Sequence, residues 1–152
     1  MPDYQLLTEL LGLAHVQVSH YQLQGPDRIE LTVESDWPAA VCPHCQQVST
    51  AVHDLAEQQV IRDLPNWGRH CWLRYAPRRF DCGACGRSFV ERVAWRDLGQ
   101  DYTQRYAEHI YHRARREPVA QVAQTEQLSE DIVQGLFERG AKKRLRTGVT
   151  RP

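Results

Sequence analysis

No stretch of the 152-residue chain approaches the roughly 18 consecutive apolar residues that a membrane-spanning helix needs. The N-terminus lacks a basic segment followed by an apolar core, so no secretory leader is expected. The expected location is the cytoplasm, with nucleoid association if the ligand is DNA, and no membrane partner. Low-complexity tracts and internal repeats are absent. Net charge is also lacking, at +0. That zero hides a gradient: residues 1–41 carry six acidic and one basic side chain, residues 42–100 six and eight, residues 101–152 seven and ten. A polyanion would therefore meet the middle and the C-terminal part, although a solvated basic helix surface looks the same by charge alone.

Cysteine is scarce, with five residues, and in a reducing compartment five cysteines point to metal before disulfides. Four tryptophans, six tyrosines and a 41% hydrophobic content exclude a disordered chain.

The expected fold class is α+β, in four segments: an N-terminal helix and β-hairpin (1–40), a zinc-ribbon β module (41–98), a helix-turn-helix bundle (99–146) and a tail (147–152). Leu6, Leu7, Leu10 and Leu11 recur at helical spacing over residues 3–12, with Gly12 as the stop. Residues 15–23 and 28–35 alternate like half-buried strands around the turn Gly25-Pro26-Asp27. Further strands are expected at 48–52, 59–63, 70–75 and 79–81, with residues 64–68 as a turn. From Tyr102 the period becomes helical, giving a helix over 102–116. Pro118–Ala123 is a second, short helix and 124–128 a turn. Ser129 caps a third helix whose apolar face is Ile132, Val133, Leu136 and Phe137. A basic tail follows, with Lys142, Lys143, Arg144, Arg146 and Arg151.

Cys42-Pro-His-Cys45 and Cys82-Gly-Ala-Cys85 are the most specific signal, with thirty-six residues between the pairs. Each tight turn can aim two thiolates at one ion, helped by Pro43 in the first and by Gly83 and Gly86 in the second. Two such turns complete a closed tetrahedral S4 shell, the signature of structural zinc, with no position left for substrate. One Zn2+ is expected on Cys42, Cys45, Cys82 and Cys85. His53 and His70 are alternative ligands, His44 faces solvent, and Cys71 is read as a small buried hydrophobe. Few large apolar residues lie between 42 and 89, so metal would decide whether this segment folds.

Residues 118–139 fit a helix-turn-helix, whose second helix would enter the major groove of double-stranded DNA. Candidate contacts are Gln127, Ser129 and Gln134 to bases, with Glu130 and Arg139 nearby. Arg113, Arg115, Arg116, Lys142, Lys143 and Arg144 would meet phosphates. A plain three-helix packing unit is the competing reading, since the turn lacks glycine and Glu130 and Asp131 place negative charge near the groove.

Several pieces in order resemble a known family: Cys-Pro-His-Cys, Arg62-Asp63-Leu64-Pro65, Arg79-Phe80-Asp-Cys82-Gly-Ala-Cys85, Phe89-Val-Glu91-Arg92, then Leu136-Phe137-Glu138-Arg139-Gly-Ala141-Lys142. Together they resemble the N-terminal part of the ISL-three family of bacterial insertion-sequence transposases, over roughly residues 5–145. The resemblance implies recognition of terminal inverted repeats by a zinc finger and helix-turn-helix. It also implies that the DDE catalytic domain lies beyond the segment equivalent to 136–146, so no catalytic residue carries over to this chain. The expected function is a sequence-specific DNA-binding module, truncated or standalone, partnering DNA and also full-length transposase or itself, with no small-molecule substrate. The alternative is a protein-interaction module anchored by Trp67, Trp72 and Trp95. An enzyme, either a CxxC redox protein or a metal hydrolase, fits two cysteine pairs poorly.

Overall fold

A computed structural model describes residues 4–147, so Arg151 and positions 148–152 of the expected tail lie outside the described residues. Helix α1 (Gln5–Leu11) leads into a hairpin of β1 (Val16–Gln24) and β2 (Arg28–Ser35). The chain then forms β3 (Ala40–Val41), β4 (Val48–Ser49) and β5 (Ala51–Leu55). A second long hairpin follows, β6 (Gln59–Asn66) and β7 (Arg69–Tyr75), and then β8 (Arg78–Asp81) and β9 (Ser88–Val90). Three helices end it: α2 (Gln104–Ala114), α3 (Val119–Glu126) and α4 (Glu130–Thr147). None of the described helices is long and apolar enough to cross a membrane.

The middle of the chain serves three sheets. Strands β6 and β7 join the N-terminal hairpin in a four-stranded sheet of order β1-β2-β7-β6, in which β2 and β7 run parallel from Arg28↔His70 to Val33↔Tyr75. The hydrogen bonding thus runs through the boundary expected at residue 40. The shorter strands form a two-stranded sheet, β3-β4, and a three-stranded sheet, β5-β8-β9. Alternation places Ile29, Leu31, Val33, Ile61, Cys71, Leu73 and Tyr75 on one face, packed with Leu11, Val16, Val18 and Trp95.

Helix α1 buries less than its sequence suggests. Leu11 is buried and Leu7 packs against the sheet core, but Leu6 and Leu10 are 66% and 54% exposed. A seven-residue helix lying against one edge of the sheet covers only part of a four-leucine stripe. The expected turn at 64–68 is also shorter. Leu64–Asn66 continue β6 past an irregularity after Asp63, and only Trp67 and Gly68 turn, with φ of 52° and 69°. Two consecutive positive values are what a two-residue hairpin turn needs to match strand twist.

The helices cluster around Tyr106, Ile110, Val122, Ala123, Val133 and Leu136. Thr103 caps α2 by accepting the Tyr106 N–H at 3.2 Å, and Ser129 Oγ accepts the Ile132 N–H at 3.2 Å at the start of α4. The expected turn at 124–128 narrows to 127–129, because α3 runs to Glu126 and Gln127 takes the left-handed conformation (φ 56°) that glycine more often fills. Helix α4 is longer than expected: Ala141–Arg146 contain no breaker, so the basic segment stays helical, and its cations suit the C-terminal dipole. Close α2–α4 packing depends on Gly140, where a Cβ would lie 2.6 Å from Tyr111 Cδ2.

A buried polar network ties helices to sheet. The Arg62 side chain donates to the Glu126 carbonyl at 2.8 Å, lies 3.7 Å from Glu126 Oε1, and rests over Trp72 and Tyr106. Asp63 accepts from Arg105 Nε at 2.8 Å, Arg105 Nη2 at 2.5 Å and Thr103 Oγ1 at 2.8 Å. Arg105 also donates to the Leu11 carbonyl at 2.7 Å, bringing α1 into the same knot. Burial pushes the Glu126 carboxyl up, but hydrogen bonds from His109, Tyr106 and Arg113 outweigh it and hold the group below its ordinary value.

Two predictions follow from these contacts. Gly135→Ala, with open space around it, raises stability by about 0.5–1 kcal/mol through helix propensity, whereas Gly140→Ala lowers it by about 1–3 kcal/mol because Tyr111 must move. Urea unfolding of both variants checks the pair. Because the folded Glu126 pKa lies below the unfolded value, its contribution is complete above roughly pH 4.3 and disappears as pH falls through the folded value. Glu126→Gln should therefore flatten the dependence of the urea midpoint on pH in the acid range, and an unchanged slope would contradict this role.

Candidate metal centre

Both cysteine pairs sit in turns of the same construction. In the first, β3 runs into Cys42, whose N–H donates to the Gln47 carbonyl at 2.8 Å, while the Gln46 N–H returns to the Cys42 carbonyl at 2.8 Å. In the second, β8 runs into Cys82, with Cys82 N–H to the Arg87 carbonyl and Gly86 N–H to the Cys82 carbonyl, both at 2.9 Å. The residue after the second cysteine takes a left-handed backbone in each: Gln46 at φ 66° and Gly86 at φ 75°. Gly86 therefore has the expected conformational role. Gly83 does not, since its φ is not positive and nothing lies near its missing Cβ.

The two turns meet sulfur to sulfur. Cys42 Sγ lies 3.8 Å from Cys85 Sγ, and Cys45 Sγ 3.5 Å from Cys82 Sγ. All four sulfurs fall within 4.8 Å of one another. A tetrahedron with Zn–S of about 2.3 Å has S···S edges of about 3.8 Å, so the four atoms already describe the shell of one zinc ion. Among the described residues, no other group of three or more histidines, cysteines and carboxylates has this geometry. His53 is hydrogen-bonded to Asp81 at 3.2 Å and His70 to Arg62 at 2.9 Å, so neither alternative ligand joins the cluster. Cys71 is fully buried in the sheet core, where burial pushes its thiol up to about 12.

Electrostatics favour a cation between the sulfurs. Backbone N–H groups of Cys85 and, behind it, Ala84 point at Cys82 and bring its thiol down to about 7. At Cys45 the Gln47 N–H works in the same direction, but burial and the three neighbouring thiols overcome it and push the group up to about 12. Four thiolates at this spacing are stable together only around a divalent ion.

The surrounding module is small. Its apolar cluster is Ala40, Cys42, Phe80, Cys82 and Phe89, with the two phenylalanine rings stacked at 5.6 Å. Arg78 fastens it to the rest: its backbone N–H and Nε donate to Glu91 at 2.7 and 2.9 Å, and its Nη2 donates to the Trp37 carbonyl at 2.7 Å. The thirty-six residues between the pairs are thus accounted for, since the β6–β7 hairpin leaves the module, completes the larger sheet and returns.

Residues 38–85 match the family described as the zinc-finger of transposase IS204/IS1001/IS1096/IS1165. This segment is similar to the zinc ribbon of ISL-three transposases. Its four cysteines fit one structural zinc ion, with no open coordination position for chemistry. No curated protein and no solved structure matches the chain.

The other sequence-derived candidates lie outside the zinc-ribbon segment, on the helices and in the turn between α3 and α4. Arg113 is bound by Glu117 and Glu126 at 2.8 Å each, which raises its pKa. Lys143 pairs with Asp97 at 3.2 Å. Arg144 pairs with Glu108 and lies 3.8 Å over the Tyr111 ring. Gln127 donates to Asp27 at 3.3 Å, Gln134 donates to Glu138 at 3.1 Å, and Ser129 caps α4. Arg115, Arg116 and Lys142 are exposed and make no ion pair with another described residue. Sequence reading missed Arg62, Asp63, Arg105 and Glu126 as a structural unit, because their partners are about forty or sixty positions away.

Zinc removal should be local in effect. Cys82→Ser is expected to lower zinc content from one per chain and to speed amide exchange in β3, β4, β8 and β9, while β1-β2-β7-β6 keeps its protection. Gly86→Ala should cost about 1–2 kcal/mol and Gly83→Ala under about 0.5 kcal/mol. Full zinc retention by Cys82→Ser, measured by elemental analysis, would remove the assignment.

Proposed function

We propose that the chain is a DNA-recognition module of a transposase, binding double-stranded DNA at the terminal inverted repeats of its element. The observation that carries this reading is the succession of α3 and α4 after the zinc-ribbon segment. An eight-residue helix, a three-residue turn and an eighteen-residue helix follow one another, and α2 packs against both helices. That succession is compatible with a helix-turn-helix whose second helix enters the major groove.

Two faces of α4 divide the work on this reading. Val133, Leu136 and Gly140 face the bundle, while Gln134, Glu138 and Lys142 lie outward. Glu130, Asp131 and Glu138 make the first half acidic, so phosphate contact falls to the second half and to the end of α2. At the end of α2 and in the second half of α4, Arg115, Arg116, Lys142 and Arg146 have no carboxylate partner among the described residues and are the proposed phosphate contacts. Arg113, Lys143 and Arg144 already have such partners. Gln134 is the proposed base-reading side chain. The carboxylates Asp63, Asp81 and Glu91 are engaged separately, with Arg105, with Ser88 and His53, and with Arg78. This fits a module that recognises DNA and leaves strand transfer to a DDE domain.

A second reading has one observation in its favour. Leu6, Leu23 and Trp67 are each more than half exposed and, with Tyr4 and Tyr21, line a common apolar depression. Such a patch suits a protein partner, full-length transposase or a second copy. Light scattering with and without DNA separates the two readings.

Fluorescence anisotropy on duplexes of element ends and scrambled sequence tests the first. Affinity should fall steeply with salt. Lys142→Ala should weaken all duplexes similarly and reduce the log–log salt slope by about 1, whereas Gln134→Ala should narrow the gap between cognate and scrambled DNA. Absence of binding to any duplex at low salt would falsify the proposal.

A further inference from the structure

A cavity of about 310 Å³ opens between the first cysteine turn and the end of the four-stranded sheet. The proposed duplex contacts on α2 and α4 leave it unused. Pro43 and Gln46 of the cysteine turn close one side, Trp95 borders it, and His15 and Trp37 line the other side. The His15 and Trp37 rings are stacked, with centroids 5.5 Å apart and planes 26° apart. Trp37 is 42% exposed, yet its backbone is held by Arg78 through the 2.7 Å hydrogen bond to its carbonyl. A large aromatic ring is therefore kept at the surface on a fixed support.

The backbone around the cavity is strained. His15 has φ 56°, and its carbonyl accepts the Asp36 N–H at 3.0 Å. Gln46 has φ 66°. The Gln46 conformation belongs to the cysteine turn, so the strain particular to this cavity is at His15. Conformations of this kind persist where surrounding structure over-determines them, and they concentrate at binding sites. Arg92 stands at the rim, exposed and with no ion pair to another described residue. The carboxylate in the wall, Glu91, is already bound to Arg78 and offers no free negative charge.

An exposed indole face, backed by a second ring, with an unpaired guanidinium lining the same cavity suits a flat ring that carries an anion. Base stacking on aromatic side chains with phosphate contact to arginine is the general chemistry of single-stranded nucleic-acid sites. The volume, at the low end for ligand pockets, suits one base rather than two. We propose that this cavity binds a single unpaired nucleobase of a DNA strand, stacked on the free face of Trp37, which His15 backs, with an adjoining phosphate on Arg92. The proposal rests on the reading that the chain contacts DNA.

The test uses the full, zinc-loaded chain with a short fluorescein-labelled oligothymidylate and, separately, a blunt duplex. The oligothymidylate should bind and quench tryptophan fluorescence. Trp37→Ala should weaken its binding about tenfold and Trp37→Phe should restore most of it, with zinc content and duplex affinity unchanged. Arg92→Ala should weaken it and lower its salt slope. Equal oligothymidylate binding by Trp37→Ala overturns the proposal. Duplex binding without oligothymidylate binding also overturns it and leaves the duplex reading standing. Oligothymidylate binding that needs Trp37, without duplex binding, upholds the cavity and removes the duplex reading. Binding to neither removes both.

Discussion

Arg62 and Asp63 are neighbours on one strand, and neighbours on a strand point to opposite faces. Arg62 stands on the Trp72 face and reaches Glu126 at the end of α3, while Asp63 stands on the core face and accepts from two of the three guanidinium nitrogens of Arg105 in α2. The strand is thus gripped by two helices from two sides. Further bonds, Arg62 N–H to the Asp101 carbonyl and Thr103 N–H to the Arg62 carbonyl, run the chain beside β6 just before α2 begins. Removing one partner from a buried ion pair leaves a charge without compensation, at about 3–5 kcal/mol. Such pairs need not add much net stability, but they tolerate little displacement. The helices therefore have one docking geometry on the sheet.

The same strand also links the sheet to the zinc module. Strand β6 pairs with β7, and β7 leads through a short turn into β8, which runs into Cys82. The zinc ion closes a loop whose middle is already a hairpin of the larger sheet. Ion and sheet therefore constrain each other: the sheet sets how far apart the two cysteine turns begin, and the ion sets where they end. The Arg78–Glu91 pair and the Arg78 bond to Trp37 make the attachment stiff at the point where the two sheets meet. Residues 38–85, which match the transposase zinc finger, include this β6–β7 excursion, so the matched segment is not one contiguous ribbon in space.

Local features were legible in the sequence, and features needing distant partners were not. The four ligands follow from spacing alone, because two CxxC turns have few other uses at this density. Alternation placed Ile29, Leu31 and Val33 on one face, and the structure buries all three. The Ser129 cap and the start of α4 followed from residue type. The parallel β2–β7 pairing was not legible, since a hairpin pattern looks the same whichever sheet it joins. Leu6 and Leu10 read as core because periodicity reports a face and not whether anything covers it. Arg113 read as a free cation for the same reason: the carboxylate of Glu126, thirteen positions away, is invisible to a charge count.

That last point shapes how a chain of zero net charge can meet a polyanion. Charge counted along the sequence overstates the basic surface, because Arg113, Lys143 and Arg144 are answered by Glu117 and Glu126, Asp97, and Glu108. The exposed cations that remain without a carboxylate among the described residues lie at the ends of α2 and α4, at Arg87 of the second cysteine turn and at the rim of the aromatic cavity. Each unpaired cation that meets a phosphate releases counterions and adds to the salt dependence, whereas a cation already held by a carboxylate adds little. The steepness of the salt dependence is therefore set by the free cations, not by the nineteen basic residues of the composition. A shallow slope with retained sequence preference would place the recognition in side chains such as Gln134 and in DNA shape, with zinc, sheet and the Arg62–Asp63 clamp supplying the rigid frame.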